Sequence, residues 1–174
     1  TPVFRNIKKS YPNSKLSVMA GKKAIGIIRH NPRIDHLINI NDIPFKGWQG
    51  RARLFWYIFK EHFDYVFSLT NYPLNSLIAM SSCAPIRVKT KVPRCSLPEL
   101  ATDWMNNYRF LFTPGTFLQR HYLSLLKPLG IQGEQEIVKE VWKTEAGAKK
   151  AGAFLADHKI AEHDFLIGIT PTAG

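Results

Sequence analysis

Acidic residues are nearly missing from the first third of this 174-residue chain: Asp35 and Asp42 stand against twelve lysines and arginines up to Lys60. That scarcity excludes a front surface on which acid and base cancel. It leaves a positive field suited to polyanions or to an anionic bilayer. Residues 61–100 hold four basic and three acidic side chains, and residues 101–174 hold eight of each. The formal net charge of +11 therefore belongs almost wholly to the front. A solubilising surface with no specific partner is the plain alternative reading.

Cysteine is scarce too. Cys83 and Cys95 form neither a disulfide framework nor a zinc grouping, and they read as unpaired thiols of a reducing compartment such as the cytoplasm. No apolar run approaches the roughly 20 residues that span a bilayer, and the amino terminus does not read as a secretory signal. GxGxxG, Walker, GxSxG and HExxH patterns are all missing, which leaves dinucleotide, P-loop, serine-hydrolase and zincin chemistry unsupported. The six histidines are scattered, so neither a metal nor a cofactor is expected. Asp42 and Asp64 fit turn and strand-end capping better than general-base duty, since no partner for them is identifiable. The residues single out no catalytic group.

What is present is an alternation of strand and helix patterns around an apolar fraction of 45%, enough for one good core. Thr1-Pro2 with Val3, Phe4 and Ile7 starts a helix. Strands are expected at 15–20, 36–40, 63–69, 86–89 and 165–170. Helices are expected at 22–29, within 45–60, and at 74–80, 115–126 and 145–158. Within 45–60, Leu54 and Ile58 face inward, joined by Phe55 and Phe59. The capping-box spacing of Ser96 and Glu99 predicts a further helix from 97 to about 109, and 134–142 fits either state. This order predicts an α/β three-layer sandwich around a mostly parallel sheet.

Basic residues supply the candidate site. Lys22, Lys23, Arg51, Arg53, Arg87, Lys89, Lys91 and Arg94 lie in or beside expected loops and helix starts, where they suit phosphate or carboxylate groups. Arg87 and Lys89 alternate with Val88 and fit one strand face. Phe45, Trp48, Phe55, Trp56 and Tyr57, interleaved with Arg51 and Arg53, read either as core or as a rim facing membrane or substrate. No nucleic-acid recognition motif accompanies them.

Five stretches, in order along the chain, carry a family resemblance. They are residues 1–13 (TPVFRNIKKSYPN), 30–36 (HNPRIDH), 63–69 (FDYVFSL), 122–131 (YLSLLKPLGI) and 165–174 (FLIGITPTAG). Together they resemble the amino-terminal domain of the ADP-heptose:lipopolysaccharide heptosyltransferases, glycosyltransferase family nine. The resemblance implies a Rossmann-like domain forming the amino-terminal half of a GT-B fold, here without its first strand. It implies an acceptor-binding domain over 1–163, with 164–174 as linker and first strand and turn of a donor-binding domain. Thr170, Thr172 and Gly174 on that turn are then assigned to the ADP-heptose donor. The expected reaction is inverting transfer of heptose to a phosphorylated, acidic lipopolysaccharide core acceptor. Its expected place is the cytoplasm, peripheral to the inner face of the cytoplasmic membrane and in contact with anionic lipid. The family's candidate base lies in a loop matching no residue here, so the 174 residues alone are expected to be inactive. Two positions depart from the pattern: Thr172 where the family turn has Gly, and Phe117 where it often has His. A relative using another sugar donor, or a non-catalytic anion-binding domain, are the alternatives.

Overall fold

A computed structural model describes residues 2–42, 45–132, 142, 144–161, 163 and 164. The chain divides into two compact units, residues 1–140 and 141–174. The first unit contains, in order, α1 (Pro2–Ser10), β1 (Ser17–Ala20), α2 (Lys22–Ile28), β2 (His36–Asn39), α3 (Gly47–Lys60), β3 (Tyr65–Ser68), α4 (Pro73–Ser81), β4 (Ile86–Lys91), α5 (Leu97–Ala101), β5 (Tyr108–Leu111) and α6 (Leu118–Ser124). Single 3-10 turns lie at Asp103–Met105 and Lys127–Leu129. The second unit's described helix is α7 (Glu145–Asp157), whose first turn is capped by Thr144 Oγ1 accepting the Gly147 N–H at 2.8 Å.

Every strand pairing among the described residues is parallel. β1 pairs with β2, Val18 opposite Leu37, and β3, β4 and β5 form a second ladder in that order. Phe67 faces Val88, and Val88 faces Tyr108. Alternation along the strands divides the side chains between two cores. Val18 of β1 and Phe67 of β3 pack on Val3, Phe4 and Ile7 of α1 and on Leu123, Leu126, Leu129 and Ile131 at and beyond α6. Met19, one residue along β1, joins Ile38, Leu54, Ile58 and Ile78 on the side of α3 and α4. Helix layers thus cover both faces, as the three-layer expectation requires. Each fully buried aliphatic side chain contributes about 1.5–3 kcal/mol. Asp35 ties the first core shut: its carboxylate accepts the Leu16 N–H and the Lys8 ammonium, both at 2.6 Å.

Three local expectations change. The capping box forms, with Glu99 accepting the Ser96 N–H at 2.6 Å, but α5 ends at Ala101. The residues expected to continue it become the 3-10 turn and β5. β4 continues two residues past the expected end, to Lys91. Phe59 does not join the core; it is 40% exposed. The expected strand at 165–170 lies outside the described residues, as does nearly all of 134–142.

Candidate functional site

In a parallel α/β sheet, ligands are held where strands run into helices, because loops gather there and helix amides point at bound anions. Each ladder has such a carboxyl edge. Beside β1 and β2, Gly21 leads directly into Lys22 and Lys23 on α2, and both lysines are exposed. Their loop is held from the β2 side: Asn41 Oδ1 accepts the Lys22 N–H at 3.1 Å, and Asn39 Nδ2 donates to Asp42 at 2.7 Å. Arg51 and Arg53, also exposed, lie in the first two turns of α3 after the next loop. That helix starts close against the preceding chain, since a Cβ on Gly50 would come within 2.4 Å of the Phe45 carbonyl carbon. Only glycine fits there.

The other ladder carries Arg94 on the loop after β4. Cys95 Sγ donates to the Val92 carbonyl at 3.0 Å and accepts from Asn71 Nδ2 at 3.4 Å, fastening this loop to the one after β3. Arg94 itself is exposed.

The basic residues of β4 behave differently. Arg87 and Lys89 alternate along β4 as expected, and the longer strand adds Lys91 in the same alternation, but the three lie at different depths. Arg87 sits near the amino end of β4, about 13 Å from Lys91 along the strand, and its guanidinium donates to the Met105 and Ala84 carbonyls at 2.7 and 2.5 Å. It clamps the edge opposite the loops. Lys89 is 0% exposed, with its ammonium 3.1 Å from Asp103 Oδ1. A side chain so enclosed touches no substrate in this conformation, so the expectation of a direct Lys89 contact is corrected to a buried ion pair. Lys91 stands 2.8 Å from the other Asp103 oxygen and retains a third of its side-chain surface. Burial pushes the Asp103 carboxyl upward, but the Lys91 and Lys89 hydrogen bonds and charges outweigh it and hold it below the ordinary carboxylate range. Asp103 escaped the sequence reading because nothing at Thr102-Asp103-Trp104 signals a partner fourteen residues back.

Buried polar groups continue under the same strand. Asn106 Nδ2 donates to Ser76 Oγ at 3.1 Å. His121 Nε2 lies 3.1 Å from Thr90 Oγ1, with its ring edge-on to Phe112, and burial lowers its affinity for a proton. It reads as a neutral packing histidine. Among the described residues no group of three or more His, Cys, Asp or Glu is placed to hold a metal ion. Among them, too, no helix is long and apolar enough to cross a membrane. Thr170, Thr172 and Gly174, assigned to the donor, lie outside the described residues.

The layered parallel architecture, with basic residues at its carboxyl edges, is Rossmann-like. No protein-family profile matches the chain. A crystal structure of a glycosyl transferase family 9 protein from Veillonella parvula superimposes with a TM-score of 0.72 at 19% identity, covering 98% of this chain and 49% of that one. At that identity the likeness establishes the fold. Two sequences of lipopolysaccharide heptosyltransferase 3 from Escherichia coli are 27% identical over 135 residues and 24% identical over 136. Each match covers 75% of this chain and 38% of the relative. The chain is therefore similar to the heptosyltransferases of glycosyltransferase family nine, and it spans well under half the length of the curated relatives it matches.

Proposed function

We propose that this chain is the acceptor-binding half of an inverting glycosyltransferase that moves a heptose from ADP-heptose to an acidic lipopolysaccharide inner-core acceptor. The observation carrying this reading is the coincidence of heptosyltransferase 3 similarity over 135 residues with exposed cations on the helix starts and loop that follow the strands' carboxyl ends. Lys22, Lys23, Arg51, Arg53 and Arg94 would hold phosphate or carboxylate substituents of the acceptor by charge-assisted hydrogen bonds. Lys91 would contribute through the part of its surface that remains exposed. The donor would be held by the domain to which Thr170, Thr172 and Gly174 belong. The acceptor hydroxyl, once deprotonated, attacks the anomeric carbon as the ADP–sugar bond breaks. Nucleotide diphosphate leaves with the bonding electrons, its growing charge met by amides and cations. Anomeric configuration inverts in that single displacement.

The test incubates the whole protein with ADP-heptose and a phosphorylated inner-core oligosaccharide and follows the products by mass spectrometry and NMR. Addition of one heptose with inverted anomeric configuration is expected. Transfer to a dephosphorylated acceptor at equal kcat/KM would contradict the role given to the basic loops. No heptose transfer, with transfer from another nucleotide sugar, would move the chain to a family-nine relative of different donor.

A further inference from the structure

Acids are as scarce around the second ladder as at the front of the chain. From residue 65 to residue 133 the acidic side chains are Glu99 and Asp103, against seven lysines and arginines. Glu99 is committed to the Ser96 N–H at 2.6 Å. Asp103 meets two cations of β4, Lys89 at 3.1 Å through one oxygen and Lys91 at 2.8 Å through the other. One negative charge cannot neutralise both. Lys89 has no exposed surface, so its pairing with Asp103 is the fixed one. Lys91 keeps a third of its side-chain surface and carries the surplus charge to the end of the strand.

The carboxylate is held in place independently of either lysine. Just before it, the Thr102 hydroxyl donates to the Pro98 carbonyl at 3.0 Å. Just after it, the Met105 carbonyl accepts the Arg87 guanidinium at 2.7 Å, and Asn106 Nδ2 donates to Ser76 Oγ at 3.1 Å. The Lys91 backbone is pinned as well, since its carbonyl accepts the Phe112 N–H at 2.7 Å. The Lys91 side chain thus runs between a fixed root and a fixed carboxylate. A lysine in open water samples many rotamers and loses that freedom on gripping a ligand, whereas Lys91 is already ordered. An ammonium has three N–H donors, so Lys91 can keep Asp103 and still donate to a ligand.

We infer that Asp103 is a positioning residue for acceptor binding. It fixes the Lys91 ammonium at the carboxyl edge, where the surplus positive charge of the Lys89, Asp103 and Lys91 cluster receives an anionic substituent of the acceptor. Phosphate and carboxylate share the chemistry this cation recognises. The inference rests on the acceptor reading above and adds which cation is ordered in advance and what orders it.

The experiment titrates a phosphorylated inner-core oligosaccharide, and its dephosphorylated form, calorimetrically into the 174-residue chain. Lys91→Met should weaken binding at least about tenfold. The Lys89→Met, Asp103→Asn double variant keeps Lys91 and removes one charge of each sign, so the cluster retains one net positive charge. It should still bind about three- to tenfold more weakly, because Lys91 is no longer held. In that background Lys91→Met should cost no more than about threefold further. Thermal transitions show which variants fold. One readout needs only the wild type: the Lys91 ammonium signal in a proton–nitrogen correlation spectrum, assigned by its loss in Lys91→Met, should shift as oligosaccharide binds. A loss in the double variant with both oligosaccharides assigns the group as carboxylate, and a loss with the phosphorylated form alone assigns it as phosphate. A double variant that binds as tightly as wild type, or a Lys91 signal that stays put while oligosaccharide binds, would overturn the inference and leave the acceptor reading standing. A wild type that binds neither oligosaccharide would overturn both.

Discussion

Replacing Asp103 by Asn should be among the most damaging single changes in the molecule. The carboxylate lies between the Lys89 ammonium at 3.1 Å and that of Lys91 at 2.8 Å, and Lys89 has no exposed surface. An amide keeps the shape but leaves a fully enclosed cation beside a second one. Breaking a buried pair by removing one partner costs about 3–5 kcal/mol, mostly from the charge left behind. For a unit of this size that lowers the melting temperature by roughly 10–15 °C. Lys91 recovers part of its loss by turning to solvent, but Lys89 has no such route. Replacing Lys89 by Met as well, which fills similar volume without charge, should therefore restore most of the stability, with a coupling of about 2 kcal/mol in the double-mutant cycle. The pH dependence has a definite sign. Asp103 is held below the ordinary carboxylate range in the fold, so its contribution is complete above that range and is lost as pH falls through the lowered folded value. Urea unfolding across the acid range should show that slope in wild type and a weaker one in the Asn variant. A cost below about 1 kcal/mol, or additive single and double variants, would refute the buried-pair argument.

Other expectations follow from the same packing. Gly50→Ala drives a Cβ into the Phe45 backbone and should cost about 1–3 kcal/mol in urea melts by shifting the start of α3. Cys83, at φ 53 just after α4, pays for a left-handed conformation. Glycine there should gain up to about 1 kcal/mol in the same assay. His121 is buried and holds a proton less readily than usual. Stability should therefore begin to fall as pH drops below the ordinary imidazole range, and His121→Gln should flatten that part of the pH–melting curve.

The layered parallel sheet was readable because its signals are periodic and local. The 3/4/7 spacing of Val3, Phe4 and Ile7, the alternating character of 15–20, and the apolar run around β3 each dictate one element. β5 was hidden because Ser96 and Glu99 announce a helix start strongly while nothing in Thr102–Asn107 announces its end. The eight basic candidates illustrate a different limit. Composition identifies a cation but not its surroundings, so Arg94 on a loop and Lys89 in the interior look alike until Asp103 is brought beneath β4 by the turn after α5. Phe59, expected to face inward, instead lies beside Trp56, because its angular position on α3 sets it away from Leu54 and Ile58.

The most direct test of the account is calorimetric titration of a phosphorylated inner-core oligosaccharide into the 174-residue chain and two charge variants. Lys22→Glu, Lys23→Glu, Arg94→Glu reverses exposed cations at the carboxyl edges, on the start of α2 and the loop after β4, and should weaken binding by at least about tenfold, since each lost charge-assisted contact is worth about 1.5–3 kcal/mol. Lys89→Met removes a buried cation paired with Asp103 and, once folded, should bind as wild type does. Unchanged affinity in the triple variant, or a loss confined to Lys89→Met, would contradict the placement of the acceptor on these loops.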